Sequence, residues 1–337
     1  MSTTPESFNI TPAPDLNKPT ARQWLIHSLL FIVTAVTTTV AGLIFAGADP
    51  GLAGVDTAPQ GLPWTLLMIP VLYIKLVIGL VSQAFHYPKL LLHGLEFSGA
   101  LMAILTAHEF GHYFCCRYYK VEATLPFFIP QPPLLWPGTF GAFIRMKSPV
   151  PSRRALFDIG LAGPLAGFAV IVPVALAGIL TLQQSQPIIG EATGGIYFND
   201  PLLFRIIAWT FGVDLANSAA NPFYLAAWFG VLVTALNLMP VGQLDGGHGT
   251  FAVFGRVGHY WISRGVFVAM VALSIVGWMW HSSPAWFVFL VLLLIMLRVG
   301  HPQPQQMEPL GPARIAVGLI TIVVFALCFL PIPITFT

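Results

Sequence analysis

The stretch from Trp24 to Ala46 carries no charged side chain and is long enough to cross the hydrocarbon core of a bilayer as a helix. Similar apolar runs recur at 63–84, 90–119, 155–182, 222–239, 260–280, 284–298 and 313–334. Only 8% of the residues are charged, whereas a soluble protein carries about 25%. The sequence therefore predicts an all-α, polytopic membrane protein with about seven to eight transmembrane helices.

The low net charge bears on the partners that the chain can bind. The net charge is only +2, and no stretch is basic and aromatic enough to form a nucleic-acid groove. We therefore expect a lipid bilayer and membrane proteins as partners, and no nucleic acid.

Cys115 and Cys116 are adjacent, and no C-x-x-C spacing occurs, so we interpret these two residues and Cys328 as packing residues. No pattern indicates the oligomeric state.

Prolines mark the parts of the chain that are not regular helices. Residues 1–21 are polar and contain four prolines, which predicts a disordered tail. The segment 126–151 is apolar, but its prolines break any helix, so we expect a re-entrant hairpin with a short strand at about 139–146. A short helix is expected near 201–210. The run 63–84 contains Pro70 and Lys75 and fits either a span or an interfacial helix.

The distribution of Lys and Arg predicts the orientation. Six of the fifteen lie between Arg117 and Arg154, so this loop is expected on the cytoplasmic side, or on the stromal side of a plastid membrane. The loop 183–221 contains only Arg205 and is expected on the opposite side. Without a recognisable transit peptide, we favour a bacterial inner membrane, with the active site toward the cytoplasm. The position of the N-terminus depends on whether 63–84 spans.

A metal-binding pattern lies at the end of the run 90–119. His108 and His112 are four residues apart, so on a helix both rings lie on one face and can reach one metal ion. Glu109 does not suit a third ligand position, but it can accept a proton from a metal-bound water. A glutamate between two histidines in an apolar span is costly unless it has a function.

The acidic residues inside apolar stretches are the candidates for a third ligand. Glu96 lies about 18 Å from His108 along a helix and is too far away. Asp158 follows Arg153 and Arg154 closely, which favours a salt bridge with them. Asp245 remains, as a ligand or as a helix cap or turn residue before Gly246.

Two motifs together resemble the site-2 protease family of intramembrane zinc metalloproteases. His108-Glu109-x-x-His112 is followed on a later span by Asn237-x-x-Pro240-x-x-x-Leu244-Asp245-Gly246. The stretch 141–167 resembles the plastid and cyanobacterial branch, and 183–221 is too short for the PDZ domain that other members carry. The resemblance covers about residues 90–250.

The resemblance implies that His108, His112 and Asp245 bind one Zn²⁺ per chain. It implies that Glu109 is the general base and then acid, and that Asn237 stabilises the oxyanion or positions the substrate; an interhelical hydrogen bond is the alternative for Asn237. His248 has either a supporting or a purely structural role. The glycines at 160, 163 and 167 predict close helix packing.

The sequence thus predicts a zinc metalloendopeptidase that cleaves membrane proteins in or near their transmembrane segments. Its regions are a tail at 1–21, transmembrane segments at 22–86, a catalytic core at 87–250 and C-terminal helices at 251–337. The strand near 139–146 either offers an edge to an extended substrate or only plugs the groove. Two alternatives stay open: a membrane-anchored zinc protease of another family with a glutamate ligand, and an inactive scaffold or transporter.

Overall fold

The computed structural model describes residues 19–48, 62–132, 137–184, 196–299, 301 and 304–336. The helices in these ranges are α1 (Ala21–Phe45), α2 (Leu62–His86), α3 (Pro88–Tyr118), α4 (Arg153–Leu180), α5 (Leu202–Phe211), α6 (Pro222–Leu238), α7 (Asp245–His281), α8 (Ala285–Arg298) and α9 (Pro312–Cys328). The strands pair antiparallel: β1 (Phe127–Pro130) with β2 (Thr139–Phe143), β3 (Gln183–Gln184) with β5 (Ser218–Ala219), and β4 (Ile196–Phe198) with β6 (Ile334–Phe336).

Four of the described helices, α1, α3, α4 and α7, are long and apolar enough to cross a membrane. The shorter apolar helices are α5, α6, α8, α9 and the part of α2 from Pro70 to His86. The chain is therefore mostly helical and has the character of a polytopic membrane protein. The predicted number of seven to eight spans stays a prediction.

Helix boundaries differ from the apolar runs where special residues intervene. Most of the predicted tail lies outside the described residues, but Ala21 already begins α1, since Thr20 caps this helix reciprocally with Gln23. The run 313–334 is helical only to Cys328; two prolines follow, and the chain ends in β6. The helix expected near 201–210 is confirmed by α5.

Helix α4 lies at the centre of the bundle and packs against α3, α6 and α7. Gly111 of α3 permits the closest approach, because a Cβ atom there would lie 2.5 Å from the carbonyl oxygen of Ala162. The large side chains of Phe97, Phe157 and Trp228 are fully buried in the surrounding core. At Gly111 the backbones of α3 and α4 are thus in direct contact.

The predicted hairpin is confirmed as β1–β2, and α1 anchors it at both ends. The imidazole Nδ1 of His27 lies 2.9 Å from the carbonyl oxygen of Pro126, just before β1. The hydroxyl of Thr37 donates to the carbonyl oxygen of Gly138, just before β2, at 2.7 Å. These two contacts fix the hairpin against the N-terminal helix.

Side chains at the N-terminus of α4 contact segments that lie far away in the sequence. Asp158 pairs with Arg314 at 2.7 Å and accepts a hydrogen bond from Tyr119 at 2.5 Å. The predicted partners were wrong: Arg153 donates to backbone carbonyls of Ala252 and Val253, and Arg154 approaches Glu308. The N-terminus of α4 is therefore tied to α7 and to the segment around the start of α9.

Candidate metal centre

Three predicted ligands meet at one point. His108 and His112 are buried on one face of α3, and their Nε2 atoms are 3.2 Å apart. Asp245 is the first residue of α7, and its Oδ2 lies 3.2 Å from Nε2 of His108 and 3.3 Å from Nε2 of His112. The structure thus brings two nitrogens and one carboxylate oxygen together in a nearly equilateral triangle.

The triangle fits a tetrahedral zinc ion. Ligand atoms about 2.0–2.1 Å from zinc at tetrahedral angles are about 3.3 Å apart, close to the three observed separations. Two imidazoles and one carboxylate are a donor set that catalytic zinc accepts, with a fourth position left for water or substrate. Among the described residues, this is the only group of three or more potential ligands that converges in this way.

Helix α4 orients His112 and makes room for both imidazoles. The Nδ1 of His112 lies 2.7 Å from the carbonyl oxygen of Ile159, which fixes the proton on Nδ1 and leaves the Nε2 lone pair free for a metal. Gly163 faces this ring, since a Cβ atom there would lie 2.1 Å from Nε2 of His112. Gly167 similarly faces His108, at 3.2 Å from its Cβ.

The position of Asp245 depends on the two glycines that follow it. A Cβ atom on Gly246 would lie 1.9 Å from the carbonyl oxygen of Leu238, and one on Gly247 would lie 2.3 Å from that of Gly242. The first turn of α7 therefore lies directly on the end of α6 and the loop that follows it. In this place the carboxylate also lies at the positive end of a helix dipole, which favours its ionised form.

Glu109 lies beside the triangle but outside it. Its side chain is 5% exposed, and its Oε1 is 3.9 Å from Nε2 of His108. The backbone N–H of Ile144, just after β2, faces the Glu109 carboxylate across the cavity that both residues line. The hairpin therefore reaches the residue predicted to be the general base.

Asn237 faces the same triangle from the end of α6. Its side-chain Nδ2 lies 3.3 Å from Nε2 of His108. Asn237, the triangle and the segment after β2 line a cavity of about 510 Å³, together with Gln243 and Ser148. An extended stretch of peptide fits a space of this size beside the metal position.

His248 lines the same cavity and also contacts His301, which lies outside it. Its Nδ1 lies 2.9 Å from Nε2 of His301, and a Cβ atom on Gly160 would lie 2.7 Å from its Cβ. The sequence assigned no role to His301, and it did not single out the backbone groups of Ile144 and Ile159. The glycine spacing on α4 was a usable signal, because Gly160, Gly163 and Gly167 each face a histidine.

Comparison with known proteins identifies the family. Residues 96–277 match the model of peptidase family M50, the site-2 protease family. The chain belongs to peptidase family M50. This match covers both motifs, so the metal centre lies within the part that M50 proteins share.

Two of the similar proteins come from plants and have metalloprotease names. The chain is 30% identical over 243 residues to the rice (Oryza sativa subsp. japonica) protein named probable zinc metalloprotease EGY1, chloroplastic, covering 69% of this chain and 38% of that protein. It is 29% identical over 282 residues to the Arabidopsis thaliana protein named probable zinc metalloprotease EGY2, chloroplastic, covering 81% and 48%. The chain thus spans less than half the length of these two relatives. No solved structure gives a significant match.

Proposed function

We propose that this chain is an intramembrane zinc metalloendopeptidase that hydrolyses peptide bonds in or near transmembrane segments of membrane proteins. The observation that carries the proposal is the buried triangle of His108, His112 and Asp245, with the carboxylate of Glu109 beside it. A site of this kind inside apolar helices is suited to substrates that are themselves embedded in the bilayer.

Zinc held by His108, His112 and Asp245 would supply Lewis acidity and would lower the pKa of a bound water to about 7. Glu109 accepts the proton of the attacking water and later donates it to the leaving nitrogen of the peptide. The Ile144 N–H is positioned to orient the Glu109 carboxylate for both transfers. The Asn237 amide donates a hydrogen bond to the negative oxygen that develops on the substrate carbonyl. Burial excludes bulk water and strengthens these interactions.

The hairpin is the element that fits a role in holding an unwound substrate. In the described part of the chain, β2 pairs only with β1, and the residues after β2 line the cavity. An extended peptide added along this segment would exchange backbone hydrogen bonds at the site where the helix must be broken for cleavage. This favours an edge for the substrate over a simple plug.

We further propose that the site opens toward the side of the membrane on which the basic loop at 117–154 lies, which we call the basic face. Positively charged loops remain on the cytoplasmic side of bacterial membranes and on the equivalent stromal side in plastids. The relatives have chloroplastic names, which lend no support to the bacterial inner membrane favoured from the sequence. We therefore propose only that the basic loop at 117–154 lies on the cytoplasmic or stromal side of the resident membrane.

The test is cleavage of a single-span test protein by purified enzyme in liposomes. Glu109→Gln is expected to abolish cleavage while it leaves about one zinc per chain, because the carboxylate is not a ligand. Glu96→Gln is the matched control, an acidic residue on the same helix that we place outside the site. Equal cleavage by wild type and Glu109→Gln would refute the protease function and favour a scaffold or transporter.

Zinc content separates this proposal from a protease of another family. Asp245→Ala is expected to lose most of the bound zinc, since two imidazoles alone bind it weakly. If the variant keeps one zinc per chain, a different residue is the third ligand.

A further inference from the structure

A second cavity, of about 270 Å³, lies beside the metal centre where α7 bends. The bend is at Gly255, whose φ of 69° is not helical. The cavity is lined on one side by Arg256, His259, Ser263 and Arg264 of α7, and on the other by Leu297, Val299 and His301. We call this space the basic pocket.

The positive charge of the basic pocket is not neutralised by nearby acidic groups. In the described ranges, no carboxylate lies within 4 Å of Arg256 or Arg264. Arg264 is half-buried and stacks over the ring of Tyr260 at 3.4 Å, while Arg256 is exposed. Two guanidinium groups held in a partly enclosed space form a site for an anion with several oxygen atoms.

Exposed aromatic and apolar side chains of α7 adjoin the pocket. Trp261, next to Tyr260, is 68% exposed, and aromatic rings of this kind gather at the interface between hydrocarbon and water. Further along α7, Val268 is 66% exposed and offers an apolar surface to acyl chains. Basic pockets between helices on the positively charged side of a membrane suit anionic lipids.

We propose that the basic pocket binds the phosphate or sulfate headgroup of an anionic lipid from the leaflet on the basic face. Arg256 and Arg264 bind the charged oxygens, and the acyl chains lie along the exposed face of α7. The volume is below the range of about 300–1,000 Å³ usual for drug-sized ligands, but it is ample for a headgroup.

The bound headgroup would also brace the loop that carries Asp245. The Ser263 hydroxyl in the pocket donates to the carbonyl oxygen of Pro240 at 2.8 Å, five residues before Asp245. His301 contacts both the pocket and His248 of the metal cavity. Lipid binding therefore stabilises the arrangement of the loop at 240–244; this consequence rests on the proposed zinc site.

The experiment measures lipid binding to the full chain in nanodiscs by titration and native mass spectrometry. Phosphatidylglycerol is expected to bind roughly thirtyfold more weakly to the double variant Arg256→Gln/Arg264→Gln than to wild type. Arg117→Gln, which removes an exposed charge at the end of α3, outside the residues that line the pocket, is the matched control and should bind like wild type. Wild-type affinity in the double variant would overturn the proposal.

Two further measurements serve as controls. One tests whether the charge of the two arginines accounts for lipid binding, and the other tests whether the ligand is a lipid or a soluble phosphate. Arg256→Lys/Arg264→Lys keeps the charge and is expected to retain most of the phosphatidylglycerol binding; loss as complete as in the Gln variant would overturn the charge-based site. Inorganic phosphate alone, added to phosphatidylcholine nanodiscs, is expected not to raise Tm. A rise in Tm that depends on the two arginines would refute lipid binding and identify a soluble phosphate as the ligand.

Zinc release tests the bracing separately. Phosphatidylglycerol is expected to slow the loss of zinc to a chelator several-fold in wild type and not in the Gln variant. If bound lipid leaves the rate of zinc loss unchanged, the bracing of the loop is refuted. Retention of zinc by the protein would still support the metal centre.

Discussion

Gly163→Ala is the substitution that tests the geometry of the metal centre most directly. The new Cβ atom would lie 2.1, 2.4 and 2.5 Å from three atoms of the His112 ring, whereas ordinary contact begins near 3.4 Å. The ring would have to retreat by roughly 1.3 Å, yet zinc sites tolerate only about 0.2 Å of change in a ligand distance. The hydrogen bond to Ile159 would be lost in the same movement.

We expect Gly163→Ala to weaken zinc binding about a hundredfold or more, or roughly 2.7 kcal/mol, because losing an orienting partner alone costs about 10–100-fold. Zinc per chain after dialysis against buffered free zinc measures this, and Tm without zinc reports the overpacking separately. Gly167→Ala, with its nearest contact at 3.2 Å, should lose about tenfold or less. Gly99→Ala, with no atom within 4 Å, should bind like wild type. Wild-type zinc affinity in Gly163→Ala would refute the arrangement.

The remaining predictions concern the elements around the site. Asn237→Ala is expected to lower kcat about a hundredfold or more with zinc content unchanged; an unaltered kcat would leave Asn237 as a packing residue. Arg314→Gln should destabilise the protein by about 1–3 kcal/mol, read as a fall in Tm, because Asp158 and Tyr119 lose their shared partner; an equal fall for exposed Arg117→Gln would contradict this. Thr37→Val should weaken the hairpin anchor and raise protease sensitivity near Gly138, which limited proteolysis detects; the exposed Thr210→Val serves as the control.

Much of the site could be predicted because its chemistry depends on rare residues. A histidine pair four apart on a helix forms one face in any context, and few carboxylates occur in apolar runs, so Asp245 was the best remaining partner. The pairing of Asp158 could not be predicted in the same way. Local spacing pointed to Arg153 and Arg154, while its actual partner, Arg314, lies 156 positions away and meets it only through the packing of α9 against α4.

Two kinds of feature at the site could not be predicted from the sequence. They are backbone groups that contact the site residues and glycines that leave room for a neighbouring side chain. The carbonyl of Ile159 and the N–H of Ile144 carry no side-chain signal, although they face His112 and Glu109. The glycines of α4 indicated close packing of helices, and Gly111 on α3 does serve that purpose against Ala162. Gly163 instead makes room for an imidazole, which only the relative rotation of α3 and α4 reveals.

The distance between the ligands along the chain has a consequence for biogenesis. Asp245 follows His108 by 137 positions (245 − 108) and enters the membrane only after α4 and α6. Chains are made from the N-terminus at about 5–20 residues per second, so several seconds separate the emergence of the histidines from that of the carboxylate. During this interval the nascent chain has at most two of the three proposed ligands, so the proposed protease would be inactive until α7 has been made.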